Sequence, residues 1–252
     1  MHATEGPLGI SEASGYVVRN EDLTLLGLDV ERVLKFTQGE LPLGMFPEDY
    51  SFFTDSLSKA LADDGVADFD VRLQGSSAHF FSGPHKAMPY DAVGVLEAIR
   101  EHQGRIPHKT ELINVVRRIH AHWPEDLPRP VCRPFDVMHR LRIDRSPSDY
   151  DVQISSDEIV NRVRQSLLDL GFDPDDALVH HRTYAFVRKD LFDTCFRAVT
   201  EWRLLMTASL QRPVTVAAFP RTGPVKAENA DEGSISSHFK DSDWVLFESG
   251  CS

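Results

Sequence analysis

The sequence predicts a mixed α/β protein of the α+β kind, and three observations predict it. Segments with helical spacing of apolar residues alternate with short runs of alternating apolar and polar residues. Capping and turn residues fall between these segments rather than inside them. The composition, 41% hydrophobic and 26% charged, is that of an ordinary globular chain.

Residues 1–20, rich in Gly, Ser and Glu, read as a loose lead-in, and 21–252 as a single domain. Glu48 to Asp63 places Phe52, Phe53, Leu57 and Leu61 at helical spacing, and Asp64-Gly65 ends that helix. Phe69-Asp70-Val71-Arg72-Leu73 alternates as a half-buried strand does and runs into Gln74-Gly75-Ser76-Ser77. A mainly helical insertion is expected near 84–144. It holds one helix over Asp91–His102 and a second from Thr110 that carries Ile113, Val116, Ile119 and Trp123. Pro124, Pro128, Pro130 and Pro134 then force loop or extended chain. Ser148 to Ile154 reads as the next strand. Ser155 as N-cap and Glu158 at N3 open a helix striped by Ile159, Val163, Leu167 and Leu170, with Gly171 as its stop. Thr183–Val187 reads as a short strand and Leu191–Leu210 as one long helix. Val214–Phe219 follows as a third strand, Arg221–Ser237 as loop and Trp244–Phe247 as a last strand.

Composition narrows the function classes. No stretch approaches the roughly 20 apolar residues a bilayer span needs, so no membrane partner is expected. The first residues have neither a basic n-region nor an apolar h-region. Cys132, Cys195 and Cys251 are odd in number and far apart, which suits a reducing compartment and builds neither a disulfide framework nor a zinc site. The expectation is a cytoplasmic protein of bacterial type. A formal net charge of −12 argues against general coating of nucleic acid. A local cluster runs the other way: Arg133, His139, Arg140, Arg142 and Arg145 lie just upstream of Asp149, and Arg117 and Arg118 sit on the preceding helix. Guanidinium groups without interleaved aromatics suit phosphates better than stacked bases.

Asp149 and Asp151 are one residue apart on a predicted strand, so their side chains share a face. Two carboxylates so placed repel each other and are relieved by a divalent cation, with Mg²⁺ the natural oxygen-loving choice. Gly75 lets the backbone approach a ligand closely. Its amide and that of Ser76, with the Ser76 hydroxyl, suit phosphate oxygens, and Ser77 and His79 are placed to add donors. Asp-x-Asp also occurs at 68/70, 173/175 and 241/243, and Gly-Ser at 233/234. Pro174 bars the second of those pairs from a sheet interior, and only 75/76 with 149/151 has strands and helices on both sides. His180-His181 cannot share one metal on a strand, nor His120 and His122 on a helix. Neither a Gly-x-Ser-x-Gly elbow nor a P-loop is present.

Leu73-Gln74-Gly75-Ser76-Ser77-Ala78 followed by Ser148-Asp149-Tyr150-Asp151-Val152 resembles a divergent member of the nucleotidyltransferase superfamily that shares the DNA polymerase β palm. The resemblance covers 69–83 and 142–220, with the helical insertion between. It implies a mixed sheet with flanking helices, Asp149 and Asp151 as the catalytic metal ligands, and Gly75, Ser76 and Ser77 around the triphosphate. Arg142 and Arg145 would contact phosphates. The implied activity is Mg²⁺-dependent transfer of a nucleoside monophosphate from NTP to RNA, protein or a small molecule. A third carboxylate is implied on a later strand, where Val214-Thr215-Val216 has Thr215 instead. Either Glu228, Asp241 or Asp243 serves, or the site is incomplete. The alternatives are therefore a degenerate relative acting in regulation or in a defence or toxin system, and a non-catalytic α/β interaction protein. The oligomeric state is left open.

Overall fold

Residues 8–180, 185–223 and 243–248 are described by a computed structural model. In chain order the elements are α1 (Asn20–Leu26), α2 (Val30–Thr37), α3 (Pro47–Asp63), β1 (Asp70–Gln74), α4 (Ser76–His79), α5 (Ala92–Gln103), α6 (Lys109–His122) and α7 (Val137–Arg140). There follow β2 (Tyr150–Ser155), α8 (Asp157–Asp169), β3 (Leu178–His180), β4 (Ala185–Val187), α9 (Lys189–Cys195), α10 (Arg197–Leu210), β5 (Val214–Phe219) and β6 (Trp244–Glu248). The class is mixed α/β, with several helices and two small sheets.

The chain divides into two compact units, where one domain with an insertion near 84–144 was expected. Unit 1 is residues 1–44 with 80–148, and unit 2 is 45–79 with 149–252. Apolar burial explains the grouping of unit 1. Leu8, Ile10, Tyr16 and Val18, in the stretch expected to be a loose lead-in, are buried in one core with Val95, Ile99, Ile119 and Trp123. A buried polar hub accompanies them. Asp22 Oδ2 accepts from Tyr16 Oη (2.5 Å) and Asp22 Oδ1 accepts from Trp123 Nε1 (3.1 Å). His122 Nε2 lies 2.8 Å from Oδ1, and Arg19 Nη2 donates to it at 3.0 Å. His120 bonds Tyr90 O instead, so the two histidines serve separate partners.

Unit 2 is built on a four-stranded sheet of order β5-β2-β1-β6, with β2 parallel to β5 and the other neighbours antiparallel. Strand alternation gives it two unlike faces. Val71, Leu73, Tyr150, Val152, Ile154, Val214 and Ala218 are buried on the apolar side. Helices α3, α8 and α10 supply the facing side chains, among them Phe53, Ile159, Val163, Val199 and Trp202. The Phe53 ring sits edge-on to Trp202 at 4.9 Å and to Tyr150 at 6.1 Å. Each such fully buried side chain contributes roughly 1.5–3 kcal/mol. The other side carries Asp70, Arg72, Gln74, Asp151, Gln153 and Thr215.

Several elements differ from expectation for identifiable reasons. The N-cap of α8 is Ser156, whose Oγ accepts from Ile159 N (3.3 Å), because Ser155 still pairs in the sheet with Asp70 and Phe219. Glu158 then leaves the expected box and accepts from Ala67 N and Asp68 N. The long helix expected over 191–210 breaks at Phe196 into α9 and α10. There the Asp64 carboxylate accepts from Ala198 N (3.1 Å) and Val199 N (2.9 Å), capping the new helix from across the fold. Helices α1 and α2 and strand β3 had no sequence expectation. Thr183 and Tyr184 of the expected strand, and 224–237 of the expected loop, lie outside the described residues.

Candidate functional site

The β1 strand ends at Gln74, and the chain turns at Gly75, whose φ is 76°. Gly75 O accepts from Ala78 N and His79 N, both at 3.1 Å, which closes the turn into α4. Strand register places Gln74 opposite Asp151. A Cβ at Gly75 would stand 3.1 Å from Asp151 Oδ2, so glycine is required twice, by its left-handed φ and by the carboxylate beside it. The Gly-Ser turn and one of the two aspartates, distant in sequence, are thus neighbours at one end of the sheet.

Asp149 lies just before β2 rather than within it, and is half-buried. Asp149 and Asp151 flank Tyr150, which is fully buried in the apolar core; alternation sends the Asp151 carboxylate to the polar side, and Asp149 precedes the first paired residue of the strand. Asp149 makes no side-chain hydrogen bond or ion pair among the described residues. Asp151 pairs in register with Thr215 on β5, and Thr215 Oγ1 donates to Asp151 Oδ1. Thr215 thereby occupies the position where the resemblance implies a third carboxylate.

The remaining predicted residues fall differently. Ser76 is half-buried and its hydroxyl makes no hydrogen bond among the described residues. Ser77 is fully buried and donates to Gln74 O (3.2 Å), so its hydroxyl is engaged in the turn. Arg142 and Arg145 belong to unit 1, where both are exposed and neither forms an ion pair among the described residues. Arg142 has φ 64°, and its carbonyl accepts from Gln103 Nε2 (3.1 Å).

The polar side holds two glutamines that the sequence reading did not assign to a site, and Asp243, one of the three candidates for the third carboxylate. Gln74 Nε2 donates to Gln153 Oε1 (2.6 Å) and to Asp243 Oδ2 (3.3 Å). Asp243 precedes β6, and its carboxylate is almost wholly buried. Gln74 and Gln153 were signalled only as polar positions of alternating strands. Glu228 and Asp241 lie outside the described residues.

Among the described residues, no three or more His, Cys, Asp or Glu side chains are grouped to hold a metal ion. The donor set at Asp149 and Asp151 is two carboxylates with a threonine hydroxyl nearby. That set fits Mg²⁺ in one mode, held by one or two carboxylates and completed by substrate phosphates and water. It does not fit a self-contained cation cage. No helix among the described residues is long and apolar enough to cross a membrane. No family model, curated protein or solved structure matches the chain.

Proposed function

We propose that the chain is a nucleotidyltransferase of the polymerase β palm type, moving a nucleoside monophosphate from NTP to an RNA, protein or small-molecule acceptor. One observation carries this reading: the Gly75 turn abuts Asp151 across the antiparallel β1–β2 pair, with Asp149 two residues before it in the chain. In this reading Asp149 and Asp151 hold Mg²⁺ together with the triphosphate, and the cation supplies charge neutralisation on the phosphate oxygens. The Gly75 and Ser76 amides and the Ser76 hydroxyl bind phosphate oxygens. Thr215 holds the Asp151 carboxylate in one orientation.

Mg²⁺ affinity should therefore be low without nucleotide. Calorimetry of the Asp149→Ala/Asp151→Ala double variant is expected to show loss of Mg²⁺-dependent ATP binding with the melting temperature kept. Unchanged binding would overturn the reading.

A second reading, a degenerate palm serving regulation or a defence or toxin system, is favoured by Thr215 at the register of Asp151. Such a protein binds nucleotide but releases no pyrophosphate over a panel of acceptors. Thr215→Asp restores a third carboxylate beside Asp151, and is expected to tighten Mg²⁺ binding and raise pyrophosphate release. Wild-type release that Thr215→Asp leaves unchanged or lowers would count against degeneracy.

A further inference from the structure

Beside the Gly75 turn stands a histidine–aspartate pair that the proposed chemistry leaves unused. His79 closes α4 three residues after Ser76, a spacing that puts both side chains on one face of the turn. Its Nε2 lies 3.5 Å from Asp243 Oδ1, and the two side chains are 30% and 3% exposed. The acid is therefore enclosed while the imidazole keeps an open edge. Gln74, the register partner of Asp151, donates to the other Asp243 oxygen. One strand position thus joins the enclosed carboxylate to the aspartate of the candidate site.

Burying a carboxylate is costly unless it is paired. A carboxylate enclosed here, with an imidazole nitrogen 3.5 Å away, suits the task of orienting that ring. With Nε2 turned to Asp243, Nδ1 is the ring nitrogen left to meet a ligand, and opposite an anionic oxygen it can act as a donor. Phosphate is the ligand that asks for such a donor beside a glycine turn, and charge-assisted bonds to phosphate are short and strong.

We propose that His79, oriented by Asp243, binds the pyrophosphate portion of the nucleotide, so that unit 2 distinguishes triphosphates from monophosphates. This assignment rests on the nucleotide reading of the site. His79 is the phosphate-binding side chain and Asp243 a positioning residue.

The test is calorimetry of the full chain with Mg²⁺, using inorganic pyrophosphate, ATP and AMP as separate probes. His79→Ala is expected to weaken pyrophosphate and ATP about tenfold or more, the size of one lost charged hydrogen bond, and to leave AMP unchanged. His79→Lys keeps a cation and should recover part of that loss. Asp243→Asn is expected to weaken pyrophosphate in the wild-type background and to add nothing in the His79→Ala background. A structural pair would instead lower the melting temperature and leave the ratio of triphosphate to monophosphate affinity unmoved. Wild-type pyrophosphate affinity in His79→Ala, beside ATP binding that still needs Asp149 and Asp151, overturns the assignment and spares the nucleotide reading. A wild-type chain that binds none of the probes overturns both.

Discussion

Asp22, almost wholly buried in unit 1, holds together residues from opposite ends of that unit. Burial alone would raise its pKa, but hydrogen bonds with His122, Arg19 and Tyr16 outweigh that effect and hold it well below the usual carboxylate range. The consequence for stability has a definite sign. A carboxyl depressed in the folded state contributes its full stability above the ordinary carboxylate pKa of about 3.9, and loses it as pH falls below that value. Asp22→Asn is expected to cost on the order of 3 kcal/mol in urea unfolding at neutral pH, because Arg19 and the buried donors lose their charged partner. Its stability should also fall less steeply than wild type in the acid limb. Equal slopes for the two proteins would show that the hub is not what titrates. None of this was legible in sequence: Tyr16, Asp22 and Trp123 are spaced too widely for any local pattern to join them.

At the scale of elements, Gly75 is the position where local backbone and site geometry coincide. Gly75→Ala must place an L-residue at φ 76°, at a cost of roughly 1–2 kcal/mol, and push its methyl toward Asp151 Oδ2. Gly104 closes α5 with φ 63° and has nothing within 4 Å of where a Cβ would be, so Gly104→Ala meets the strain alone. Both variants are expected to lose stability in thermal melts, Gly75→Ala the more, while only Gly75→Ala loses Mg²⁺·ATP affinity by calorimetry. Equal ATP affinity in the two would remove Gly75 from the site. Elements with strong periodicity and local stops, α3, β1, α5 and α8, were readable because their caps and apolar stripes lie within one window of sequence. The break between α9 and α10 was not, since Asp64 provides the cap from far away. Three-residue β3 is too short to show alternation at all.

For the whole molecule, charge is distributed unevenly. Residues 80–148 hold eleven of the chain's 27 Lys and Arg but only eight of its 39 Asp and Glu. That relative excess of basic residues includes Arg117, Arg118, Arg140, Arg142 and Arg145, and it lies in unit 1, while the Gly-Ser turn and the aspartates lie in unit 2. The class, the main strands and the choice of Gly75, Ser76, Asp149 and Asp151 as candidates followed from the amino-acid sequence by itself, because alternation, capping and residue type are local properties. The division into two units, the burial of Asp243 beside His79 and the placing of Thr215 against Asp151 were decided only by the tertiary structure. Each depends on strand register and on which apolar surfaces find one another, and those pairings join residues that no local pattern of the chain connects.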